Sequence, residues 1–161
     1  MTESTLTSDG LTDGNSVMSL SAMHEDPWYL ETALKHGGNP NILNPVKGVT
    51  PIFQSVMLLD RRHPQPRLVQ LNLLVNAGAD LNAQDRDGYK PMRMAAVANR
   101  YDMVYIMLNA GADPTIKSKA GTTLISTIRQ IRTDPKSELY QWRAKVIAIL
   151  KTKGINVENG K

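Results

Sequence analysis

Glycine recurs along this chain at a fixed interval, and that interval limits the possible folds more than any other feature. Gly78 and Gly111 are 33 residues apart, and so are Gly88 and Gly121. Within one interval, Gly88 and Gly111 are 23 apart, as are Gly14 and Gly37. A chain that repeats at this period builds like units and stacks them, each burying its apolar face on the next. Two intervals are longer. Gly48 to Gly78 is 30 residues and Gly121 to Gly154 is 33, so the second and fourth units carry insertions of seven and ten.

The residues between the glycines read as a helical hairpin. Residues 85–117 run from a turn through an Ala-rich segment and a small break into a longer apolar segment ending Ala-Gly-Ala-Asp. Gly78 and Gly111 follow apolar helical stretches, where a left-handed C-cap is easiest without a Cβ. Gly88 and Gly121 fall in chain-reversing turns. Pro51 and Pro91 stand where the first helices begin, a position that needs no N–H. Ala22, Ala95 and Ala96 allow close helix approach. In the second helices Leu30, Ala33 and Leu34 match Leu71, Leu74 and Val75, and again Val104, Met107 and Leu108. This i, i+3, i+4 stripe is expected to face the neighbouring unit. Met92, Met94, Met103 and Met107 are expected to fill the core, with Met23 and Met57 as contact candidates. The last helix, expected over 146–153, should cap the stack with Lys145, Lys151 and Lys153 in water.

Residues 85–117 resemble an ankyrin repeat. Lys90-Pro91-Met92-Arg93-Met94-Ala95 stands where that family has Thr-Pro-Leu-His-x-Ala, with identity at Pro91 and Ala95. The resemblance implies an all-α solenoid of about four helix-turn-helix repeats joined by β-turn loops. The repeats fall at about 11–43, 44–84, 85–117 and 118–157, with a flexible segment 1–9 and a tail 158–161. Tetratricopeptide repeats lack the Gly-Ala-Asp turns seen at 78–80 and 111–113.

The insertions are the least generic feature. The first, near Leu59 to Arg67, carries three Arg, one His and two Pro, and its prolines are expected to break the helix. The second, near Arg132 to Gln141, separates the helices of the fourth unit. Loops of distinctive chemistry on a rigid scaffold often bind partners, though solvated spacers look the same.

Composition removes other functions. There is no cysteine, so disulfides, cysteine-held zinc and thiol catalysis are absent from this sequence. No apolar run reaches the ~18–20 residues that span a bilayer, and the N-terminus has neither the basic nor the apolar region of a signal peptide. Residues 1–40 hold six acids and one base, and the remainder holds eighteen bases and nine acids. A basic excess can favour nucleic acid, anionic lipid or an acidic protein. The bases are scattered without aromatic interleaving, which makes nucleic acid the weaker reading. Of the three histidines, His36 sits where a helix ends, which suits the helix dipole. No pair of histidines has metal-ligand spacing, and no nucleophile elbow or phosphate-binding glycine pattern is present. Asp80, Asp85, Asp87 and Asp113 read as turn residues that bond the backbone. No catalytic set emerges, and neither a cofactor nor a small-molecule substrate is expected.

A narrower resemblance rests on residues 22–41 (AMHEDPWYLETALKHGGNPN), 99–113 (NRYDMVYIMLNAGAD) and 134–154 (DPKSELYQWRAKVIAILKTKG). These stretches are similar to bacterial ankyrin proteins exported to the periplasm. Such proteins are often encoded beside type VI secretion effectors, including phospholipases, and some are immunity proteins. The resemblance implies a protein partner, a toxic effector, met in the periplasm when a leader has been removed and in the cytoplasm otherwise. The alternatives are a scaffold or stress-protection protein without a toxin partner, and a binder of anionic surfaces.

Ankyrin proteins commonly bind through their turn tips and the concave face of their first helices. Counted from each glycine, those positions are Asp13, Asn15, Met23 and His24 in the first repeat, and Lys47, Val49, Met57 and Leu58 in the second. They are Arg86, Asp87, Tyr89, Val97 and Ala98 in the third, and Lys119, Thr122, Gln130 and Ile131 in the fourth. An apolar centre with a charged edge is the usual make-up of an interface. Tyr89, Arg86 and Lys47 are the expected anchors. The rival surface is the first insertion, with Arg61, Arg62 and His63.

Overall fold

A computed structural model describes residues 17–57, 64–131 and 134–157. Asp13, Asn15, Leu58, Arg61, Arg62 and His63 lie outside the described residues. Eight helices follow in order among the described residues: α1 (Val17–Met23), α2 (Pro27–Lys35), α3 (Pro51–Met57), α4 (Pro64–Asn76), α5 (Pro91–Val97), α6 (Tyr101–Asn109), α7 (Leu124–Gln130) and α8 (Glu138–Thr152). No strand occurs among the described residues.

The helices form two layers. α1, α3, α5 and α7 stack in sequence order, and α2, α4, α6 and α8 form a second stack. The first three hairpins also pack internally, α1 on α2, α3 on α4 and α5 on α6. Every helix of the first layer is seven residues long. That layer is closely fitted, and Ala22, Ala95 and Ala96 are buried in it with Ile52, Val56 and Met92. Leu30, Leu71, Leu74, Val104, Met107 and Leu108 are buried in the second layer, as their spacing requires. Met92, Met103 and Met107 are buried and Met94 is packed on the core, while Met57 is 52% exposed.

The turns between hairpins are bonded both within and between units. Asn44 Oδ1 accepts the Val46 and Lys47 N–H groups at 2.9 and 2.8 Å, and Asp85 Oδ1 accepts those of Asp87 and Tyr89 at 3.0 and 2.8 Å. Asp80 and Asp113 act likewise on Asn82 and Thr115. Asp87 works through its carbonyl, which accepts the Lys119 N–H at 3.0 Å. Asn41 joins two units, donating to Gly78 O at 3.1 Å and accepting the Asp80 N–H at 2.6 Å. Asn82 repeats the contact one unit on, accepting the Asp113 N–H at 2.9 Å. Gly88, at φ 78°, sits so close to the next turn that an added Cβ would lie 2.9 Å from Lys119 N.

Both insertions differ from their expected form. They lengthen second helices as well as loops: α4 has 13 residues and α8 has 15, against nine in α2 and α6. Pro64 is the first residue of α4 and Pro66 the third, so the prolines open a helix where a breaker was expected. Proline suits the first turn because those N–H groups have no partner within the helix. The final helix begins at Glu138, eight residues before the expected start at 146. Ser137 sets that start by accepting the Tyr140 N–H at 3.2 Å. Lys145, Lys151 and Lys153 are exposed, as a terminal unit requires.

Candidate protein-binding surface

The turn tips and the first helix layer place the predicted contact residues. Lys47, Arg86, Asp87 and Lys119 are exposed on successive tips. Arg86 is fixed by donating to Pro45 O at 3.1 Å. Tyr89 is half-buried, with the Arg93 guanidinium over its ring at 4.2 Å. Val97 is 46% exposed. His24 and Gln130 are exposed, and Ala98, Thr122 and Ile131 are half-buried. The Thr122 hydroxyl is engaged with Ser118 Oγ at 2.7 Å. Val49 departs from the expectation of an exposed contact. It is only 6% exposed, because the residue after the tip turns back to enter α3.

Four of these residues meet around one groove. Met23, Lys47, Val49 and Met57 line a cavity of about 280 Å³ together with Gln54 and Asp85. Its floor is apolar, and Lys47 and Asp85 bring opposite charges to it. Gln54 lies three residues before Met57 on the same face of α3, so helical periodicity alone could have found it. Asp85 was legible only as a turn residue.

The end of α1 beside this groove is held from the second layer. Arg67 of α4 is buried and donates to Ala22 O at 3.3 Å, Met23 O at 3.1 Å, His24 O at 3.4 Å and Gln70 Oε1 at 2.8 Å. Gln70 Nε2 also donates to His24 O. A cation at a helix C-terminus meets carbonyls that have no partner within the helix. Sequence reasoning placed Arg67 at the end of the first insertion, where its structural role was invisible.

Burial shifts two side chains behind the surface. Lys90 is buried and donates to Asp113 O at 2.6 Å. Desolvation lowers its pKa, with Asp113 and Asp80 opposing the shift. Burial raises the pKa of Tyr101, with the nearby Arg143 opposing. Asp113 is lowered chiefly by its hydrogen bond from the Thr115 hydroxyl. Among the described residues no group of three or more acidic, His or Cys side chains could hold a metal ion. No helix there is long and apolar enough to cross a membrane.

Stacked helical hairpins joined by bonded turns, with charged tips beside an apolar groove, define a repeat solenoid of the protein-binding class. The family model for ankyrin repeats, three copies, matches residues 17–118, and the chain belongs to the ankyrin repeat family. Among similar proteins, PhlB of Serratia liquefaciens is 40% identical over 88 residues, covering 55% of this chain and 36% of PhlB. Ankyrin repeat and SAM domain-containing protein 6 of Rattus norvegicus is 28% identical over 134 residues, covering 83% of this chain and 13% of that protein. BCL-6 corepressor-like protein 1 of Homo sapiens is 32% identical over 80 residues, covering 47% and 4%. The chain thus spans little more than a third of PhlB and much less of the other two. Ankyrin repeats are characteristically protein–protein interaction modules. The matched region ends at residue 118, and α7 and α8 extend both layers beyond it by stacking on α5 and α6.

Proposed function

We propose that the chain is an immunity module that binds and neutralises a toxic bacterial effector, such as a phospholipase delivered by type VI secretion. It works without catalysis or cofactor and meets its partner in the periplasm when a leader has been removed, and in the cytoplasm otherwise. The observation that carries the binding part is the groove between Met23 and Met57, rimmed by Lys47 and Asp85 and flanked by the charged tips. An exposed methionine beside a partly open apolar cavity offers an adaptable seat for a partner's side chain. The resemblance of residues 22–41, 99–113 and 134–154 to exported bacterial ankyrin proteins supports the toxin-neutralising part. Four repeats, at about 11–43, 44–84, 85–117 and 118–157, make up the module.

The test is protection. The effector encoded beside this gene is expressed in the periplasm of a sensitive host, with and without this chain. Survival only in its presence, with a complex purified from the survivors, is the expected result. Toxicity unchanged by co-expression overturns the immunity reading in favour of a scaffold or stress-protection role. The surface is tested on the complex by pairing Tyr89→Ala with Arg86→Ala, and separately Arg61→Ala with Arg62→Ala. Weakening by more than about 1 kcal/mol, the usual mark of an interface residue that matters, is expected of the first pair.

A further inference from the structure

The start of α2 carries a feature that neither the repeat pattern nor the groove explains. Trp28 is 59% exposed and Tyr29 46%, although the whole chain has only eight aromatic residues. They are ordered where they stand. The Tyr29 ring lies against the His24 imidazole, centroids 4.1 Å apart, and Trp28 meets Tyr29 edge-on at 5.1 Å. Asp26 Oδ1 accepts the Trp28 N–H at 2.9 Å, and His24 Nδ1 accepts the Asp26 N–H at 3.0 Å. Beneath, Arg67 and Gln70 hold the carbonyls of residues 22–24. Ordering these rings therefore adds little to the cost of binding.

The exposed charge beside the rings is acidic, at Glu25 and Asp26, while the Arg67 guanidinium is buried beneath them. Neither Glu25 nor Asp26 forms an ion pair among the described residues. Lys35, the one base of α2, is taken by Glu31 at 2.9 Å. Elsewhere the chain covers an aromatic face with its own cation: Arg93 over Tyr89 at 4.2 Å and Lys145 over Trp142 at 4.1 Å. Among the described residues no such cation lies over Trp28 or Tyr29. Aromatic faces beside exposed carboxylates attract an ammonium or guanidinium group.

We propose that Trp28, Tyr29, Glu25 and Asp26 form a docking surface for a cationic protein segment, with a lysine or arginine side chain seated over the Trp28 indole. The surface lies on α2 and the α1–α2 loop, so it stands whether or not the groove binds an effector.

The experiment titrates the full chain, labelled with nitrogen-15, against a short peptide of alternating lysine and alanine at low salt. The control peptide has glutamate for lysine. The Trp28 indole N–H resonance, assigned by its loss in Trp28→Phe, is expected to move with the lysine peptide only. Glu25→Gln with Asp26→Asn removes the charge and keeps a capping side chain at position 26. It is expected to weaken binding about two- to fivefold, the size of the exposed ion pairs it removes. Equal movement with both peptides, no movement with either, or full affinity in the double variant would overturn the proposal. Movement with protein concentration alone, with a doubled mass in light scattering, would also overturn it, because a second copy would then fill the surface.

Discussion

Replacing Arg67 with Met removes one guanidinium and keeps most of the side-chain volume. α1 has seven residues, so its unpaired C-terminal carbonyls are a large share of its backbone acceptors. Arg67 serves three carbonyls at 22–24 and orients Gln70, all from a buried position. A hydrogen bond from a charged donor contributes about 1.5–3 kcal/mol, and the bonds here share one group, so their values do not add. Gln70 still reaches His24 O, and the carbonyls nearest the exposed loop can turn to water. The expected loss is about 1.5–3 kcal/mol, because the deletion leaves neutral acceptors, some of them open to water, and no uncompensated buried charge. Arg67→Lys should restore less than half of it, since an ammonium cannot fork across three acceptors. Urea melts of the three proteins give the totals. Amide exchange should rise first in α1 and α2, because a terminal unit can open while the rest stays stacked. A loss below about 1 kcal/mol would mean that water replaces the guanidinium freely, and the clamp would be a surface contact only.

Leu74→Ala and Leu108→Ala should each cost about 2–5 kcal/mol in denaturant melts, because both side chains are fully enclosed between second-layer helices. Gly88→Ala should cost well over the ~1 kcal/mol of Gly78→Ala. Both have φ near 80°, but only at Gly88 would the new methyl meet backbone, at Lys119 N, and equal losses would refute the close approach. Tyr101 keeps its proton longer when folded than when unfolded, so the unfolded chain releases more protons above pH 10 and stability falls there. Tyr101→Phe removes that fall, which thermal melts of both proteins from pH 9 to 11 would show.

The architecture was legible because its signals are local and periodic. Positive φ at Gly78, Gly88, Gly111 and Gly121 follows from turn chemistry, and the buried stripe of Leu71, Leu74, Met107 and Leu108 follows from helical spacing. The insertions were misread because proline has two meanings. Pro64 and Pro66 would break a helix interior but begin α4, and only the position of the start decides which. Of the groove, Met23, Lys47, Val49 and Met57 could be counted from the glycines. Asp85 could not be counted to it, because its reach depends on how one turn leans on the next. Trp28 and Tyr29 carry no periodic signal, and outward-facing rings look like core residues until the helix start is fixed by Asp26.

The side chains that tie one turn to the next give the two edges of the stack unequal tolerance for added length. On the turn edge, Asn41 and Asn82 reach neighbours 37–39 and 31 positions away, and an extra residue between them would put both ends out of register. The opposite edge has already lengthened twice, before α4 and before α8, without disturbing the layers. A peptide tag spliced between residues 131 and 137 should therefore leave a folded protein. The same tag between Gln84 and Gly88 should not. One side of the molecule behaves as a bound spine and the other as open page ends, where evolution or an engineer can write new sequence.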